Sequence, residues 1–418
     1  MGFTAIEKIL MNHSVKPVDK VSPGDIVTAN IDFMGSHEGW DAGNYDKFAG
    51  LGEVIGVFDP EKVGIFIGHH LCTGQNDFVA ANQKLQREWA AKYGVKLFDL
   101  GTGICHIQIM ELGIAYPGRL LVFGDSHTCA YGAVGAMSTQ CGAEMVEVLL
   151  TGKMWFKVPT THKYIIEGKT PKGVYSRDVI QYVVGQVGLA ASVYSAIEWD
   201  GSYIHSLPVP LRFPFTLMTV EIGGKCSFIE PDEITLAYLK DRVKVPFKVV
   251  KSDPDAKFEK TFKFDVSKLE PQVAAPSSPA NTQRISEAKG ARIDQVCIGT
   301  CTGSSIYDLR VAAEVLKGRK VKARTLVVPG TRESFRLAAA EGLFQVFADA
   351  GADVFPPHCG TCQTLSMGHL APGEVQMHCG PRNWTGRTAE GSFAYLASPA
   401  TCAASAIEGK VADCRDYL

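Results

Sequence analysis

The stretch QVCIGTCTGSSIYDLRVAAEVLKG, residues 295–318, passes from an apolar run through a glycine-rich loop holding a cysteine into a helical pattern. QVCIG (295–299) is short and apolar, as a buried strand is, whereas SSIYDLRVAAEVLKG (304–318) repeats its apolar residues at helical spacing. The alternation recurs along the chain. DIVTANID (25–32), KVGIFIGHH (62–70), RLLVFGD (119–125), HKYIIEG (162–168) and ARTLVVPG (323–330) predict strands. FVAANQKLQREWAAKYG (78–94), GAEMVEVLLTGKMWF (142–156) and TRESFRLAAAEGLFQVFADAG (331–351) predict helices. Strand and helix in turn imply layered α/β domains. The Pro- and Ser-rich segment VAAPSSPANTQR (273–284) reads as an interdomain linker, and a further boundary is expected near Val158-Pro159. The expected domains are therefore 1–158, 159–284 and 285–418.

A chain of 418 residues, 46% apolar and 21% charged, can bury several cores. A net charge of -2, with Lys and Arg spread along the chain, makes no field that would gather nucleic acid or an anionic membrane surface. No apolar run reaches the ~20 residues a bilayer span requires, and MGFTAIEKIL lacks the pattern of a signal peptide, so a cytoplasmic protein is expected. In a reducing compartment, twelve cysteines in so long a chain are thiols or metal ligands rather than a disulfide framework.

Four of them fall in glycine-rich loops: Cys301, the pair Cys359 and Cys362 of HCGTC, and Cys379. Cys301 stands between a strand pattern and a helix pattern, where free backbone N–H groups and the helix dipole favour a thiolate. The C-x-x-C pair follows VFPP and so lies in a loop after a strand, where active clefts of α/β domains form. A buried thiol is the default for a lone cysteine, and it is the reading given to Cys72, Cys105, Cys129, Cys141, Cys226, Cys297, Cys402 and Cys414. Zinc would call for a second close pair of ligands. Three thiolates without an evident fourth suit an iron–sulfur cluster with one iron open, able to act as a Lewis acid on a substrate hydroxyl.

Motifs from end to end resemble the large subunits of 3-isopropylmalate dehydratase and homoaconitase, within the aconitase superfamily: SPGDIVTANID, GICHIQIMELG (103–113), GDSHTCAYGAVGA (124–136), CIGTCTGSSIYDLR (297–310), HCGTC, RNWTGR (382–387) and YLASPATCAASAIEGKV (395–411). The resemblance implies three α/β domains of the aconitase type without the swivelling fourth domain, and a [4Fe–4S] cluster on Cys301, Cys359 and Cys362. It further implies hydro-lyase activity on a small hydroxy-di- or tricarboxylic acid, and a separate small swivel-domain subunit without which the chain is inactive or nearly so. Matched residue by residue, it assigns catalytic roles to His70, His106, Asp125, His127 and Glu221, and substrate binding to Ser126, Arg382 and Arg387. His106 would pair with Asp125 and His127 with Glu221.

The chain departs from that pattern in places. His69 stands where the family has an aspartate, Gly303 and Pro381 stand where it has asparagines, and FMGSHEGWDAGNYDKF (33–48) differs from the usual substrate-side loop. Such changes point to a shifted substrate, such as a dialkylmalate, a methylmalate or maleate. They also leave a second class of function open, a cluster-free binding or regulatory protein of the same fold, and a zinc protein as a third.

Overall fold

The computed structural model describes residues 2–38, 47–48, 50–51, 56–70, 77–362 and 366–418. Cys72 and positions 39–46 of the departing loop lie outside the described residues. Among the described residues, eighteen strands are arranged in an antiparallel ribbon and three larger sheets. The ribbon pairs β1 (Ile26–Asn30) with β7 (Lys153–Lys157). The first sheet contains β2 (Phe33–His37), β3 (Val63–Phe66), β4 (Lys96–Phe98), β5 (Leu120–Phe123) and β6 (Met137–Gln140), all parallel, in the order β4-β3-β2-β5-β6.

The second sheet, also parallel, runs β10-β9-β8-β11, with β8 at Thr161–Glu167, β9 at Ala196–Asp200, β10 at Cys226–Ile229 and β11 at Lys260–Asp265. The third contains β12 (Gln272–Ala274), β13 (Thr282–Arg284), β14 (Gln295–Ile298), β15 (Arg324–Val327), β16 (Asp353–Val354), β17 (Val375–His378) and β18 (Phe393–Ala397), in the order β13-β12-β18-β17-β14-β15-β16. Strands β2, β3, β5, β10 and β14 are buried along their whole length, which is why β3 and β5 carry no polar side chain and none of the five alternates.

In two of these sheets the strand order reverses direction at one place: between β2 and β5 in the first, and between β14 and β17 in the third. At such a point the loops leaving neighbouring strands part to opposite faces and open a crevice beyond the strand ends. The chain leaves β2 at His37-Glu38, β5 at Asp125-Ser126-His127, β14 just before Cys301, and β17 just before Cys379 to Arg387. Backbone hydrogen bonds join the two crevices: Ile104 N–H donates to Gly330 O (2.8 Å), Arg332 N–H to Thr102 O (2.9 Å) and Cys359 N–H to Gly68 O (3.0 Å).

Three expectations are corrected. The segment 273–284 is not a linker, because β12 and β13 form an antiparallel hairpin and β12 also pairs with β18, so its backbone groups complete the third sheet. The stretch 142–156 is a helix only over Met145–Thr151, after which KMWFK extends as β7. Gly152 makes that break with a φ of +66°, and a Cβ there would meet Phe58 Cδ2 at 2.5 Å. The expected helix 331–351 is two, Arg332–Ala340 and Leu343–Ala350, parted at left-handed Gly342. Elsewhere local signals hold: Ser305 caps Ile306–Leu316 in a reciprocal pair with Asp308.

Gly152→Ala should lower the unfolding midpoint, because the new Cβ meets both a left-handed backbone and the Phe58 ring; a loss of about 1–3 kcal/mol is expected from denaturant titration, and an unchanged midpoint would contradict this account of the break.

Candidate active site

The crevices of the first and third sheets meet in a cavity of about 530 Å³. Its wall includes His37, His69, His106, Asp125, Ser126, His127, Cys301, Cys359, Cys362, Arg382, Trp384 and Arg387. At its centre is the Asp125 carboxylate. His106 Nε2 lies 3.2 Å from Oδ1 and His127 Nδ1 3.5 Å from the same oxygen, while His37 Nε2 and His69 Nε2 lie 3.3 and 3.6 Å from Oδ2. Asp125 also caps the turn that follows it by accepting from the His127 N–H at 2.6 Å. Burial alone would raise its pKa, but the surrounding imidazoles outweigh that cost and hold it well below the usual carboxylate range. The imidazoles move down too: burial, then neighbouring rings, keeps His69 and His106 below the ordinary histidine value. The Asp125 carboxylate is thus favoured in its charged form and the His69 and His106 rings in their neutral forms.

His127 reaches a second carboxylate through Nε2, 2.9 Å from Glu221 Oε1. Glu221 lies on the short turn Met218–Ile222, just before strand β10 of the second sheet. Its oxygen also accepts from Arg382 Nε at 2.7 Å, and Arg382 Nη1 donates to Ser126 Oγ at 3.0 Å. Burial opposes the Glu221 charge, yet His127 and Arg382 lower its pKa. Arg387 stacks over the exposed Trp384 ring, 4.4 Å from its centroid, and donates from Nη2 to Cys362 Sγ at 3.5 Å. Its buried Nε has no hydrogen-bond partner among the described residues. Of the side chains matched to the site, His106, Asp125, Ser126, His127, Arg382 and Arg387 all line this one cavity, and Glu221 supports it from behind.

His70 is the exception. The cavity-lining side chain at this turn is His69, and His70 carries its carbonyl to Gln83 Nε2 (3.0 Å) on the helix Asp77–Tyr93. The turn is shaped by Glu38, fully buried, whose carboxylate accepts from the N–H groups of Gly68 (3.0 Å), His69 (2.6 Å) and His70 (2.6 Å). Sequence matching also passed over His37 and Glu38. The available signal was two adjacent titratable residues closing the wholly buried strand β2, within a segment already seen to be unusual.

Cys301, Cys359 and Cys362 are free thiols, all buried and all on the cavity wall. Burial first, and neighbouring sulfurs second, push the Cys301 and Cys359 thiols well up. Several thiolates cannot share so dry a wall without a cationic group between them. Three buried thiols on one cavity wall, with Arg387 beside them, suit an iron–sulfur cluster. The donor set fits such a cluster, and the Arg387 N–H on Cys362 is the kind of hydrogen bond that tunes cluster sulfurs.

Cys379 stays out of the cavity. Its Sγ lies 3.6 Å from Cys402 Sγ, and a Cβ on Gly303 would stand 2.3 Å from the Cys379 Cβ and 2.8 Å from its sulfur. The missing asparagine at 303 is thus a packing consequence of Cys379. The loop is fixed further by fully buried Arg177, which donates to the carbonyls of Cys379 (3.2 Å) and Gly380 (2.8 Å).

Comparison with known proteins agrees with this arrangement. The model of the aconitase family (aconitate hydratase) matches residues 75–292 and 282–409. The chain is 43% identical over 420 residues, 98% of each chain, to 3-isopropylmalate dehydratase large subunit 1 of Pyrococcus furiosus. It is 41% identical over the full length of both to 3-isopropylmalate dehydratase large subunit 1 of Methanopyrus kandleri. Against the probable methanogen homoaconitase large subunit of Methanosarcina mazei it is 40% identical, over 93% of this chain and 99% of that one. The crystal structure of Thermococcus kodakaraensis aconitase X (holo-form) superposes with a TM-score of 0.51 over 85% of this chain and 84% of that chain, at 14% identity, a likeness of fold.

Gly303→Asn should destabilise the protein by about 1–3 kcal/mol through overpacking against Cys379. Adding Cys379→Gly should recover part of that loss, which thermal unfolding of the single and double variants will measure; additive effects would deny the contact.

Proposed function

The chain belongs to the aconitase family and is a hydro-lyase, and we propose that it is the large subunit of a two-part enzyme hydrating and dehydrating a small malate-like hydroxy acid. In this reading Cys301, Cys359 and Cys362 hold a [4Fe–4S] cluster. One observation carries it: the three thiols, the imidazoles on Asp125 and two guanidiniums all face a single cavity of about 530 Å³. When bound, the cluster supplies a Lewis-acidic iron for a hydroxyl oxygen.

The protein's own groups divide the remaining work. Arg387, with a buried N–H unclaimed, binds a substrate carboxylate, since its planar fork and permanent charge match that group. Arg382 is held in place by Glu221 and Ser126 and offers its charge alongside. His127, bridging Asp125 and Glu221, holds a proton at the edge of the cavity where a departing hydroxyl needs one. His106 faces the same carboxylate, which fixes its tautomer. Of the adjacent histidines 69 and 70, the geometry favours His69 as the residue that meets substrate. The base that abstracts the carbon-bound proton is assigned to a small swivel-domain subunit, a partner supported by the large-subunit names of the relatives. No helix among the described residues is long and apolar enough to cross a membrane.

The test is anaerobic purification with a co-expressed small subunit, followed by assay over a panel of malate-like acids. A brown protein with about four irons per chain, its iron lost in Cys301→Ser, and turnover of at least one acid are expected. Glu221→Gln should lower kcat by ~10²–10⁴-fold with iron content unchanged, because His127 loses the group that orients it. A colourless, iron-free chain that binds such an acid without turning it over would identify a cluster-free binding protein, and zinc without sulfide would identify a zinc protein.

A further inference from the structure

At the cavity wall, His69 and His106, with Cys105 beside them, each present a ligand atom within 4.8 Å of the other two. All three are buried, at 6%, 0% and 1% exposure. His106 turns Nδ1 toward Cys105, 3.6 Å from its Sγ, and Nε2 toward Asp125 Oδ1 at 3.2 Å. His69 likewise aims Nε2 at Asp125, 3.6 Å from Oδ2, while its buried Nδ1 has no hydrogen-bond partner among the described residues. One carboxylate therefore addresses Nε2 of both rings, leaving His106 Nδ1 to face the Cys105 sulfur and His69 Nδ1 without a partner among the described residues. A carboxylate on the far nitrogen is how proteins orient imidazoles that bind a metal. A buried ring nitrogen without a partner is costly unless something binds it.

We propose that His69, Cys105 and His106 form a second metal site, for a single zinc-like divalent ion, with Asp125 as its supporting carboxylate. Two imidazole nitrogens and one sulfur make a borderline-soft set suited to such an ion, and three protein ligands leave a fourth position for water. The set shares no residue with Cys301, Cys359 and Cys362. Binding balances simply: the Cys105 thiol gives its proton to solvent as the metal–sulfur bond forms, and both imidazoles bind neutral. An ion on Nδ1 keeps the His106 proton on Nε2, facing Asp125, so a filled site withdraws His106 from proton exchange. His69, one of the positions where the chain departs from the family pattern, is required for the set. The proposal does not depend on the hydro-lyase reading.

Cobalt(II) serves as the probe, added anaerobically to the full chain carrying Cys301→Ala, Cys359→Ala and Cys362→Ala. One Co²⁺ per chain is expected, with tetrahedral visible bands and sulfur-to-cobalt charge transfer, displaced by Zn²⁺. Cys105→Ser in that background should abolish the charge-transfer band, and His69→Asp should weaken binding by about 10-fold or more. If circular dichroism finds the triple variant unfolded, the same titration on the cluster-loaded chain and its Cys105→Ser variant gives the answer as a difference spectrum. Absence of stoichiometric cobalt, or a spectrum that Cys105→Ser leaves unchanged, overturns the site.

Discussion

A buried carboxylate that stays ionised sets the form of the whole centre. Asp125 is drawn into the protein at the end of β5, and its charge is sustainable only because His37, His69, His106 and His127 turn nitrogens toward it from four segments. Each of those rings is in turn oriented by the carboxylate, so removing any one alters the others. The arrangement explains why so many titratable groups can be packed together: the carboxylate is favoured charged, while burial favours the neutral forms of His69 and His106.

Keeping that group in register with the cysteines is a matter of backbone contact between loops of the first and third sheets. The bond from Cys359 N–H to Gly68 O ties the C-x-x-C loop directly to the turn that presents His69. Glu38 organises the other side of the same turn by gathering three successive N–H groups. Burial raises the Glu38 pKa even so, with His37 and the N–H donors pulling the other way, so the turn is built around a costly group. The segment before β10 of the second sheet enters through Glu221, which touches both an imidazole on Asp125 and the guanidinium of Arg382. Segments flanking strands of all three sheets thus meet within a few residues of the cavity.

Much of this was legible along the chain. The apolar runs and helical repeats identify the α/β class because each element's burial is a local property of period and length. Cys301, Cys359 and Cys362, the histidines of GICH and GDSH, and the arginines of RNWTGR could be singled out because motif spacing travels with the loops after strands. Where local signals misled, a long-range contact had overruled them. Residues 273–284 look like a linker until β18 offers them a partner, and GKMWF looks helical until β1 pairs with it.

The sequence by itself determined the element types, the loops that bear the chemistry and the kinds of side chain available there. Only the tertiary structure decided which of two adjacent histidines faces Asp125, that His37 and Glu38 belong to the same centre, and that Cys379 fills the space left by Gly303 instead of joining the other cysteines. The reason is physical. Secondary structure follows from interactions a few residues apart, whereas burial of a charge, a sulfur against a missing side chain and the turn of a ring depend on groups brought together from well beyond one element's length along the chain.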